Sequence, residues 1–455
     1  MIKKNDIIPL KIENCTIDGS GIGRYEGMAI FVPASATGDE IDAHILKVKS
    51  SYAFGKVEHI NKPSNSRIKP ECPVFLKCGG CAFGHISYDS ETKIKADYVA
   101  DCLHRIGGLS PEIEPIIPCE KPERYRNKAQ YPIEKNEDEI KIGFYGPRSH
   151  RVIHCPDCLL QPNEFENILS GVCEYVKKYN ISTYNEEEHK GLLRHIYIRK
   201  GTKSGEIMVC PVINGNSLPD ENEFVNMILS SCSGIKSIVL NSNKEKTNVI
   251  LGRECRTLWG KDYITDTLCN LKFKISPLSF YQVNRDQAEK LYNKAAEYAE
   301  LKGNELLLDL YCGTGTIGLS MAHKVKKLIG VEIVPEAIED AKINAKENGI
   351  DNAEFYCSDA AKMAEKFRND GVKPNVVILD PPRKGCAKEV LECVADMNPD
   401  RIVYISCDPA TLARDLKIFA SLDYETIKAT PVDLFARTGH CETVALMSRK
   451  IRFGE

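Results

Sequence analysis

Cys407 stands at the end of an apolar run, in the segment Arg401-Ile-Val-Tyr-Ile-Ser-Cys-Asp-Pro409. Such a run is typical of a buried strand, so its last residues should emerge at the edge of a sheet. A cysteine there can act as a nucleophile only as the thiolate, and a thiol of ordinary pKa is about 3% ionised at pH 7. Covalent catalysis at Cys407 would therefore need an activated thiol and a nearby base.

A glycine-rich segment earlier in the chain could hold a nucleotide. The segment Gly313-Thr-Gly-Thr-Ile-Gly318 follows the apolar run Leu306–Leu310 and precedes a predicted helix, where glycines let the backbone approach a ligand. Glu332 lies 19 residues after Gly313, at the end of the next apolar run, where a carboxylate can bind ribose hydroxyls. These residues alone fit a dinucleotide, an adenosine cofactor, or a tight turn without a ligand.

Further acidic residues help to separate these alternatives. Asp359 and Asp380 also end predicted segments, and Asp380 begins the turn Asp380-Pro-Pro-Arg-Lys-Gly385. In open parallel sheets, ligands bind outside the carboxyl ends of the strands, so these acids and Cys407 should face one crevice. Dinucleotide binding needs no Asp-Pro-Pro turn, whereas methyltransferases that act on bases often carry one beside the methyl donor. The pattern therefore favours a methyl-donor site.

A thiol, a carboxylate and a methyl donor together suit methylation of uracil at C5. Uracil C5 is a poor nucleophile, but addition of a thiolate at C6 gives an enolate whose C5 can attack a methyl sulfonium, after which a base removes the C5 proton. Glu442, in the segment His440-Cys-Glu-Thr443 of the final predicted strand, is the candidate base. The alternative is that Cys407 is only packed and that Glu442 is only a charge on an exposed strand.

A cluster of cysteines indicates a metal site. Cys72, Cys78 and Cys81 form a C-x5-C-x2-C run, and three thiols this close indicate a shared zinc ion or a four-iron cluster. The fourth ligand should come from Cys155 or Cys158, and the spacing does not choose between them. Most of the other cysteines among the nineteen are isolated and are expected to be small buried hydrophobes.

Composition excludes membrane and secreted proteins. No apolar stretch reaches the roughly 18 residues that a membrane span needs, and the N-terminus lacks the apolar segment of a secretory signal. The nineteen cysteines are then expected to be free thiols or ligands rather than disulfides, because the cytosol is reducing. We expect a monomeric cytoplasmic protein.

Three blocks of different pattern follow one another along the 455 residues, within the range of about two to four domains for this length. Residues 1–60 show short alternating runs between glycine-rich turns, which predict a small all-β barrel of the oligonucleotide-binding type. Residues 61–270 show a mixed α+β pattern whose topology the periodicity does not assign. Residues 271–455 alternate near-continuous apolar runs with helical patterns, which predict a doubly wound α/β domain.

Several segments of the third block match one family. They are Phe280-Tyr-Gln-Val-Asn284, Asp309-Leu-Tyr-Cys-Gly-Thr-Gly315, Glu332, Asp380-Pro-Pro-Arg-Lys-Gly385, Ser406-Cys-Asp-Pro-Ala-Thr-Leu-Ala-Arg-Asp415 and His440-Cys-Glu-Thr443. The chain thus resembles the RNA uracil-5-methyltransferases, which implies a class I methyltransferase fold with Cys407 as nucleophile and Glu442 as base. The resemblance also implies S-adenosylmethionine contacts, and the glycine-rich loop adds Gly313, so that the expected set is Gln282, Tyr311, Gly313, Thr316, Glu332, Asp359 and Asp380. Ala436 and Cys441 depart from the family's usual proline and apolar residue, and both changes keep Glu442 in register.

The resemblance covers nearly the whole chain. Residues 1–60 resemble a TRAM domain, and the cysteine run resembles the branch of the family that carries a [4Fe-4S] cluster. This implies an iron-sulfur cluster rather than zinc, with Cys72, Cys78, Cys81 and Cys158 as ligands, because Cys158 precedes a segment containing Leu and Gln. It also implies 23S ribosomal RNA as substrate, since the transfer RNA branch generally lacks the cluster.

RNA binding would need a local group of cations, because residues 1–60 carry seven Lys and Arg against eight Asp and Glu. The segment Arg124-Tyr-Arg-Asn-Lys-Ala-Gln-Tyr131 interleaves cations with aromatic residues that could stack on bases, or it could be an ordinary strand. Phe280 could stack on a flipped uracil. Two rival functions stay open, namely an RNA amino-group methyltransferase and a non-enzymatic RNA-binding or ribosome assembly factor.

Overall fold

The N-terminal segment of the computed structural model is a closed five-stranded barrel. The structure describes residues 2–137 and 139–450. Alternate residues of each strand, such as Ile8, Leu10 and Ile12, point into the barrel core, as a sheet with one buried face requires. The predicted all-β barrel is confirmed, with neighbouring strands in the order β1-β2-β3-β5-β4, where β1 is Ile7–Cys15, β2 Ser20–Tyr25, β3 Met28–Pro33, β4 Glu40–Val48 and β5 Tyr52–Lys62.

A helix and a short strand follow the barrel. Helix α1 (Tyr88–Asp101) begins where the Ser87 side chain accepts a hydrogen bond from the Ser90 N–H, which satisfies one free donor of the first turn. It continues as a π-helical segment, Cys102–Gly107, and ends at Gly108 in the left-handed conformation (φ 65°). Strand β6 (Glu112–Ile113) comes next.

A seven-stranded sheet occupies the middle of the chain, in the order β13-β12-β11-β10-β7-β8-β9. Helices α2 (Glu164–Lys178) and α3 (Glu221–Ser231) pack on one of its faces through a core that includes Phe165, Val172 and Phe224. Its strands are β7 (Lys128–Lys135), β8 (Ile140–Tyr145), β9 (Val152–His154), β10 (Leu193–Lys200), β11 (Ile207–Ile213), β12 (Ile235–Ser242) and β13 (Glu254–Gly260). A two-stranded hairpin of β14 (Ile264–Leu268) and β15 (Leu271–Ile275) follows.

The C-terminal part is built on an eight-stranded sheet in the order β18-β17-β16-β19-β20-β22-β21-β6. The five neighbouring strands β18, β17, β16, β19 and β20 run parallel to one another, whereas β22 pairs with β20 in the antiparallel direction. The strands from the third block are β16 (Leu306–Leu310), β17 (Lys327–Glu332), β18 (Ala353–Cys357), β19 (Val376–Leu379), β20 (Arg401–Ser406), β21 (Tyr424–Val432) and β22 (Glu442–Arg449).

Helices cover both faces of this sheet, which explains why its strands are apolar on both sides. One apolar core lies against α4, α5 and α6, and the other lies against α7, α8 and α9. The helices are α4 (Arg285–Ala299), α5 (Thr316–Met321), α6 (Pro335–Glu347), α7 (Ala360–Asn369), α8 (Lys388–Met397) and α9 (Pro409–Ser421). The predicted doubly wound α/β domain is confirmed, and its parallel strands end on one edge.

The three predicted blocks are interlocked. Strand β6 and the buried Leu103 belong by sequence to the middle block, yet β6 pairs with β21 and Leu103 packs in the core of the eight-stranded sheet. The barrel also touches the C-terminal part, because a Cβ on Gly439 would lie 2.5 Å from the Ile17 carbonyl oxygen. The domain boundaries at residues 60 and 270 stay predictions. No helix in the described part of the chain has the length and apolarity needed to cross a bilayer.

Candidate active site

The glycine-rich turn after β16 is held in shape by two carboxylates. Asp309 Oδ2 accepts a hydrogen bond from the Gly318 N–H at 2.9 Å, which ties the strand to the first turn of α5. Glu332, at the end of β17, accepts from the Gly313 N–H through Oε2 at 3.2 Å and from the Ile333 N–H through Oε1 at 2.8 Å. The backbone around Gly313 is therefore fixed beside the Glu332 carboxylate, the arrangement expected of a nucleoside site.

Helix α4 supplies a buried hydroxyl at the same edge. The Tyr292 side chain lies within hydrogen-bond distance of Thr316 Oγ1, at 3.1 Å, and burial raises the pKa of Tyr292 well above its usual range. Thr316 is the first residue of α5, so this contact fixes the start of the helix that follows the glycine-rich turn. Asp359 lies at the start of α7, where it accepts hydrogen bonds from the Ala361 and Lys362 N–H groups.

One cavity of about 1000 Å³ collects the residues expected to bind cofactor and to react. All nine predicted residues line it: Gln282, Tyr311, Gly313, Thr316, Glu332, Asp359, Asp380, Cys407 and Glu442. Its volume is at the upper end of the range for ligand pockets, so the cavity has room for more than one small ligand. The structure thus brings the two predicted groups of residues together.

Cys407 lies in a tight turn between β20 and α9. The Asp408 N–H donates to Ser406 Oγ, and Asp408 Oδ1 in turn accepts from the Ala410 and Thr411 N–H groups. Thr411 Oγ1 also donates to the Arg383 carbonyl, which joins this turn to the Asp380-Pro-Pro segment. The position of Cys407 is therefore set by capping contacts on both sides of the residue.

The cavity is strongly acidic around the thiol. Burial, followed by the negative charges of Glu442 and Asp380, raises the pKa of Cys407 to about 11. Burial and the charge of Asp380 raise the pKa of Glu442 to about 8, and burial raises the pKa of Asp380 to about 7. Arg383 acts in the opposite direction on Cys407 and Glu442. Glu442, Asp380 and Arg383 therefore all lie close enough to Cys407 to influence its ionisation.

Several residues of the cavity were not predicted from the sequence. Arg383 Nη2 lies 3.4 Å from His440 Nε2, and both side chains line the cavity. Tyr292 and Phe435 also line it, and so does Lys128, which the sequence pattern places in a candidate RNA-contacting segment rather than at this cavity. Arg383 and His440 belong to the matched segments Asp380-Pro-Pro-Arg-Lys-Gly385 and His440-Cys-Glu-Thr443, which is a signal that sequence reasoning could have used.

The interleaved segment Arg124–Tyr131 differs from its prediction as a base-stacking surface. Tyr131 is fully buried in the core beneath the seven-stranded sheet, and Tyr125 is buried beside Ala436, so neither ring can stack on a base. Arg124 forms an ion pair with Asp157. The aromatic part of the prediction fails because Tyr131 lies on the core-facing side of β7 and because Tyr125, before β7, packs against Leu160 and Ala436.

Comparison with known protein families identifies the family to which this chain belongs. The profile of the tRNA (uracil-5-)-methyltransferase family matches residues 87–450, a range that contains every side chain of the cavity. The chain belongs to this family. A TRAM domain profile matches residues 3–57, which form the barrel. The protein is an RNA methyltransferase with an N-terminal TRAM domain.

Related proteins agree with this assignment. An uncharacterized RNA methyltransferase of Clostridium tetani is 47% identical over 98% of this chain and 97% of its own length. Another, of Halalkalibacterium halodurans, is 44% identical over 99% and 98%. Among solved structures, the tRNA (uracil-54, C5)-methyltransferase of Pyrococcus abyssi, in complex with S-adenosyl-L-homocysteine, is similar with a TM-score of 0.78 and 29% identity, covering 97% of this chain and 100% of that one.

The methyltransferase has a second cavity, of about 350 Å³, lined by cysteines. They are Cys72, Cys78, Cys81, Cys155 and Cys158. A hydrogen bond with Cys155 lowers the pKa of Cys72 to about 6. Within residues 2–137 and 139–450, no three His, Cys, Asp or Glu side chains converge closely enough to hold a single metal ion.

The β21–β22 loop, residues 433–441, separates the two cavities of the enzyme. Phe435 and His440 line the catalytic cavity, whereas Arg437 lines the cysteine cavity. The Arg437 carbonyl accepts a hydrogen bond from the Ala82 N–H at 2.8 Å, one residue after Cys81. The wall of the catalytic cavity is therefore hydrogen-bonded to the cysteine-bearing segment.

Proposed function

We propose that this enzyme transfers a methyl group from S-adenosylmethionine to C5 of a uridine in RNA, with Cys407 as nucleophile and Glu442 as base. The observation that carries the proposal is the single cavity lined by Cys407, Glu442 and the seven residues expected to bind the cofactor. Addition at C6 and proton removal at C5 require a thiol and a carboxylate in one place, and both lie at the carboxyl edge of the doubly wound sheet, where the charge of Glu442 acts on Cys407.

The cofactor would lie against the glycine-rich turn. The Glu332 carboxylate would accept hydrogen bonds from the ribose hydroxyls, and Gly313 would let the backbone come close to the cofactor. When bound, S-adenosylmethionine supplies an electrophilic methyl group on a positively charged sulfonium. The carboxylates of Glu332 and Asp359, which also line the cavity, would attract such a cation.

Cys407 and Glu442 must each lose a proton before they act. The thiolate of Cys407 forms a bond to C6, and the electron pair of the C5–C6 bond moves toward the O4 carbonyl, which makes C5 nucleophilic. After C5 has received the methyl group, the Glu442 carboxylate removes the C5 proton, and the Cys407–C6 bond breaks to restore the thiolate. The target base must leave its stack for this to happen, and Phe280, whose side chain is 61% exposed at the cavity, offers a ring to receive it.

A mechanism-based substrate tests the nucleophile. Incubation with S-adenosylmethionine and RNA containing 5-fluorouridine should leave a covalent protein–RNA adduct, because fluorine at C5 cannot be removed as a proton. Peptide mass spectrometry should place the adduct on Cys407, and Cys407→Ala should abolish it. Full methylation by Cys407→Ser would instead support transfer to an amino group, for which no nucleophile is needed.

Ribosomal RNA is the proposed substrate, with 23S RNA as the expected target. The support is the set of cysteines, which resembles that of the ribosomal branch of the family. Transfer RNA is the second candidate, because the structurally similar protein of Pyrococcus abyssi acts on transfer RNA. Mapping of 5-methyluridine in both RNA classes, with and without this protein, decides between them. Cytoplasmic location and the monomeric state stay predictions.

The cysteine cavity is the proposed site of a [4Fe-4S] cluster, with Cys72, Cys78, Cys81 and Cys158 as ligands. Five thiols line this cavity, and the cysteine run resembles that of the branch of the family that carries such a cluster. The Gly80 N–H also points at Cys78 Sγ, at 3.5 Å, and hydrogen bonds to ligand sulfurs are a common feature of such sites.

Cys158 is preferred over Cys155 as the fourth ligand. The support is the segment Leu159-Leu-Gln161 after Cys158, which resembles the segment that follows the ligand in the cluster-bearing branch of the family. Cys155 also lines the cavity and forms side-chain hydrogen bonds with Cys72 and Cys158. After anaerobic reconstitution, iron and sulfide content should fall in Cys158→Ala and stay at about four of each in Cys155→Ala, the content of a four-iron cluster. The reverse pattern would reassign the ligand.

A further inference from the structure

Two cations stand directly opposite each other on neighbouring strands of the seven-stranded sheet. Lys128 on β7 is the register partner of Arg199 on β10, so their side chains project from the same face. Like charges in directly opposite positions destabilise an antiparallel pair. A negative charge close to Lys128 and Arg199 would relieve this repulsion.

Among residues 2–137 and 139–450, no acidic side chain forms an ion pair with Lys128, Arg199 or the nearby Arg126. Arg199 is fully buried, and its Nη1 donates to the carbonyls of Ser276 and Ser279 at 2.7 Å, whereas Nη2 has no hydrogen-bond partner. Burial and the charges of Arg199 and Arg126 lower the pKa of Lys128 to about 8. The positive charge is thus held in place and left unneutralised.

Lys128 lies at the catalytic cavity. It lines the cavity together with Phe280 and Gln282. The adjacent residue, Asn127, fixes this arrangement, because its Nδ2 donates to the Gln282 carbonyl at 2.9 Å and its N–H donates to the Val283 carbonyl at 2.8 Å. An ammonium group is therefore positioned on the same wall as the exposed ring of Phe280.

We propose that Lys128, reinforced by the buried Arg199 behind it, binds a phosphodiester of the RNA strand beside the uridine that enters the cavity. The proposal rests on the proposed function, because a nucleotide that is turned into the cavity brings its flanking phosphates to the cavity wall. Lysine contacts phosphate as a point charge and does not need the base to be of one kind, so Lys128 would position the strand without selecting its sequence. The other anion that could reach this wall is the carboxylate of the cofactor, and the experiment separates the two.

The test measures binding of fluorescein-labelled decauridylate to the full-length protein at several salt concentrations. Lys128→Met should weaken binding about tenfold at low salt, the loss of one charge-assisted hydrogen bond. It should also reduce the slope of log K against log salt by about 0.7, the contribution of one phosphate contact on a single strand. Lys128→Arg should keep the slope. Lys135→Met is the matched control, because Lys135 lies at the other end of β7, contacts Asn180 and does not line the cavity.

Two further measurements make the result decisive. Affinity for S-adenosylhomocysteine, measured by calorimetry, should be the same in Lys128→Met and the wild type, and the melting temperature should not fall, since the variant removes a repulsion. An unchanged salt slope, or a loss of S-adenosylhomocysteine affinity alone, overturns the phosphate site. If the slope falls but no 5-fluorouridine adduct forms on Cys407, the phosphate site stands and the proposed chemistry fails.

Discussion

Lys95 Nζ lies 2.7 Å from Asp433 Oδ1 in the interior of the protein. The same ammonium donates to Glu91 Oε1 at 2.7 Å and to the Phe435 carbonyl at 3.1 Å. Lys95 and Glu91 belong to α1, whereas Asp433 and Phe435 belong to the β21–β22 loop. A single buried cation thus attaches the wall of the catalytic cavity to a helix 338 residues away in sequence.

Removal of the Lys95 ammonium should lower the free energy of unfolding. Lys95→Met removes the cation that Glu91 and Asp433 share, so that, among the residues that the structure describes, the Asp433 carboxylate keeps only the Tyr88 hydroxyl and the Glu91 carboxylate only Arg437. Loss of one member of a buried ion pair destabilises a protein by about 3–5 kcal/mol. Chemical denaturation measures the effect. Lys56→Met is the control, because the Lys56–Glu58 pair is largely exposed and such pairs contribute about 0–1 kcal/mol. Equal stability of the two variants would contradict a structural role for Lys95.

The reactivity of Cys407 should depend steeply on pH in the absence of cofactor and RNA. Because its pKa is raised to about 11, the thiolate fraction, and with it the alkylation rate by iodoacetamide, should rise about tenfold per pH unit between pH 7 and 9. Peptide mass spectrometry resolves Cys407 from the other cysteines, and the exposed Cys357 serves as an internal reference. A plateau of the rate near pH 8 would show that the thiol is already activated.

Glu442→Gln should separate turnover from thiol reactivity. The variant loses the proposed base, so methylation should be abolished. At pH 9 the Glu442 carboxyl is mostly ionised, since its pKa is about 8, and its charge opposes formation of the Cys407 thiolate. Alkylation of Cys407 at pH 9 should therefore be faster in the variant than in the wild type, whereas the two should be similar at pH 7. Slower alkylation at pH 9 would contradict this electrostatic relationship.

The buried acids should make the free enzyme less stable as pH rises. A carboxyl whose pKa is raised on folding binds more protons in the folded than in the unfolded state, so stability falls between the two pKa values. For Glu442, with a folded pKa of about 8 against an ordinary 4.5, the loss between pH 6 and pH 8 is about 2 kcal/mol. Glu442→Gln should reduce the pH dependence by that amount, and Glu425→Gln, on the exposed face of β21, should not. Unfolding curves at pH 6 and pH 8 measure both.

Gly385 should not tolerate a side chain. It has φ +76°, and a Cβ would lie 2.5 Å from Arg414 Nη2 and from Asp415 Oδ2, the groups that hold the Asp380-Pro-Pro turn against α9. Gly371 is the matched control, because it has φ +72° with nothing within 4 Å of an added Cβ. Gly371→Ala should cost about 1 kcal/mol for the left-handed backbone alone, and Gly385→Ala should cost more and weaken S-adenosylhomocysteine binding. Equal costs would show that crowding at Gly385 is unimportant.

Local patterns in the sequence predicted the residues at the strand ends that line the cavity, but they did not predict the buried ion pair that holds the cavity wall. The glycine-rich turn, Glu332, Asp380 and Cys407 each end an apolar run, and parallel strands bring such ends to one edge. Lys95 and Asp433 carry no such signal, because their meeting depends on how a helix from the middle block packs on the C-terminal sheet. The error at Tyr131 was avoidable, since the alternation of β7 places it on the core face with Ile133.

The contact between Gly439 and Ile17 has a consequence for target selection. Ile17 lies in the turn between the first two barrel strands, and Gly439 immediately precedes His440 in the cavity wall, so the barrel is seated against the catalytic part rather than tethered to it. An RNA that touches both the barrel and Cys407 must span a set length. Inserting nucleotides between those two contacts would then change which base arrives at the thiol. The enzyme would therefore select its uridine by the distance along the RNA from the barrel contact, as well as by the identity of the base.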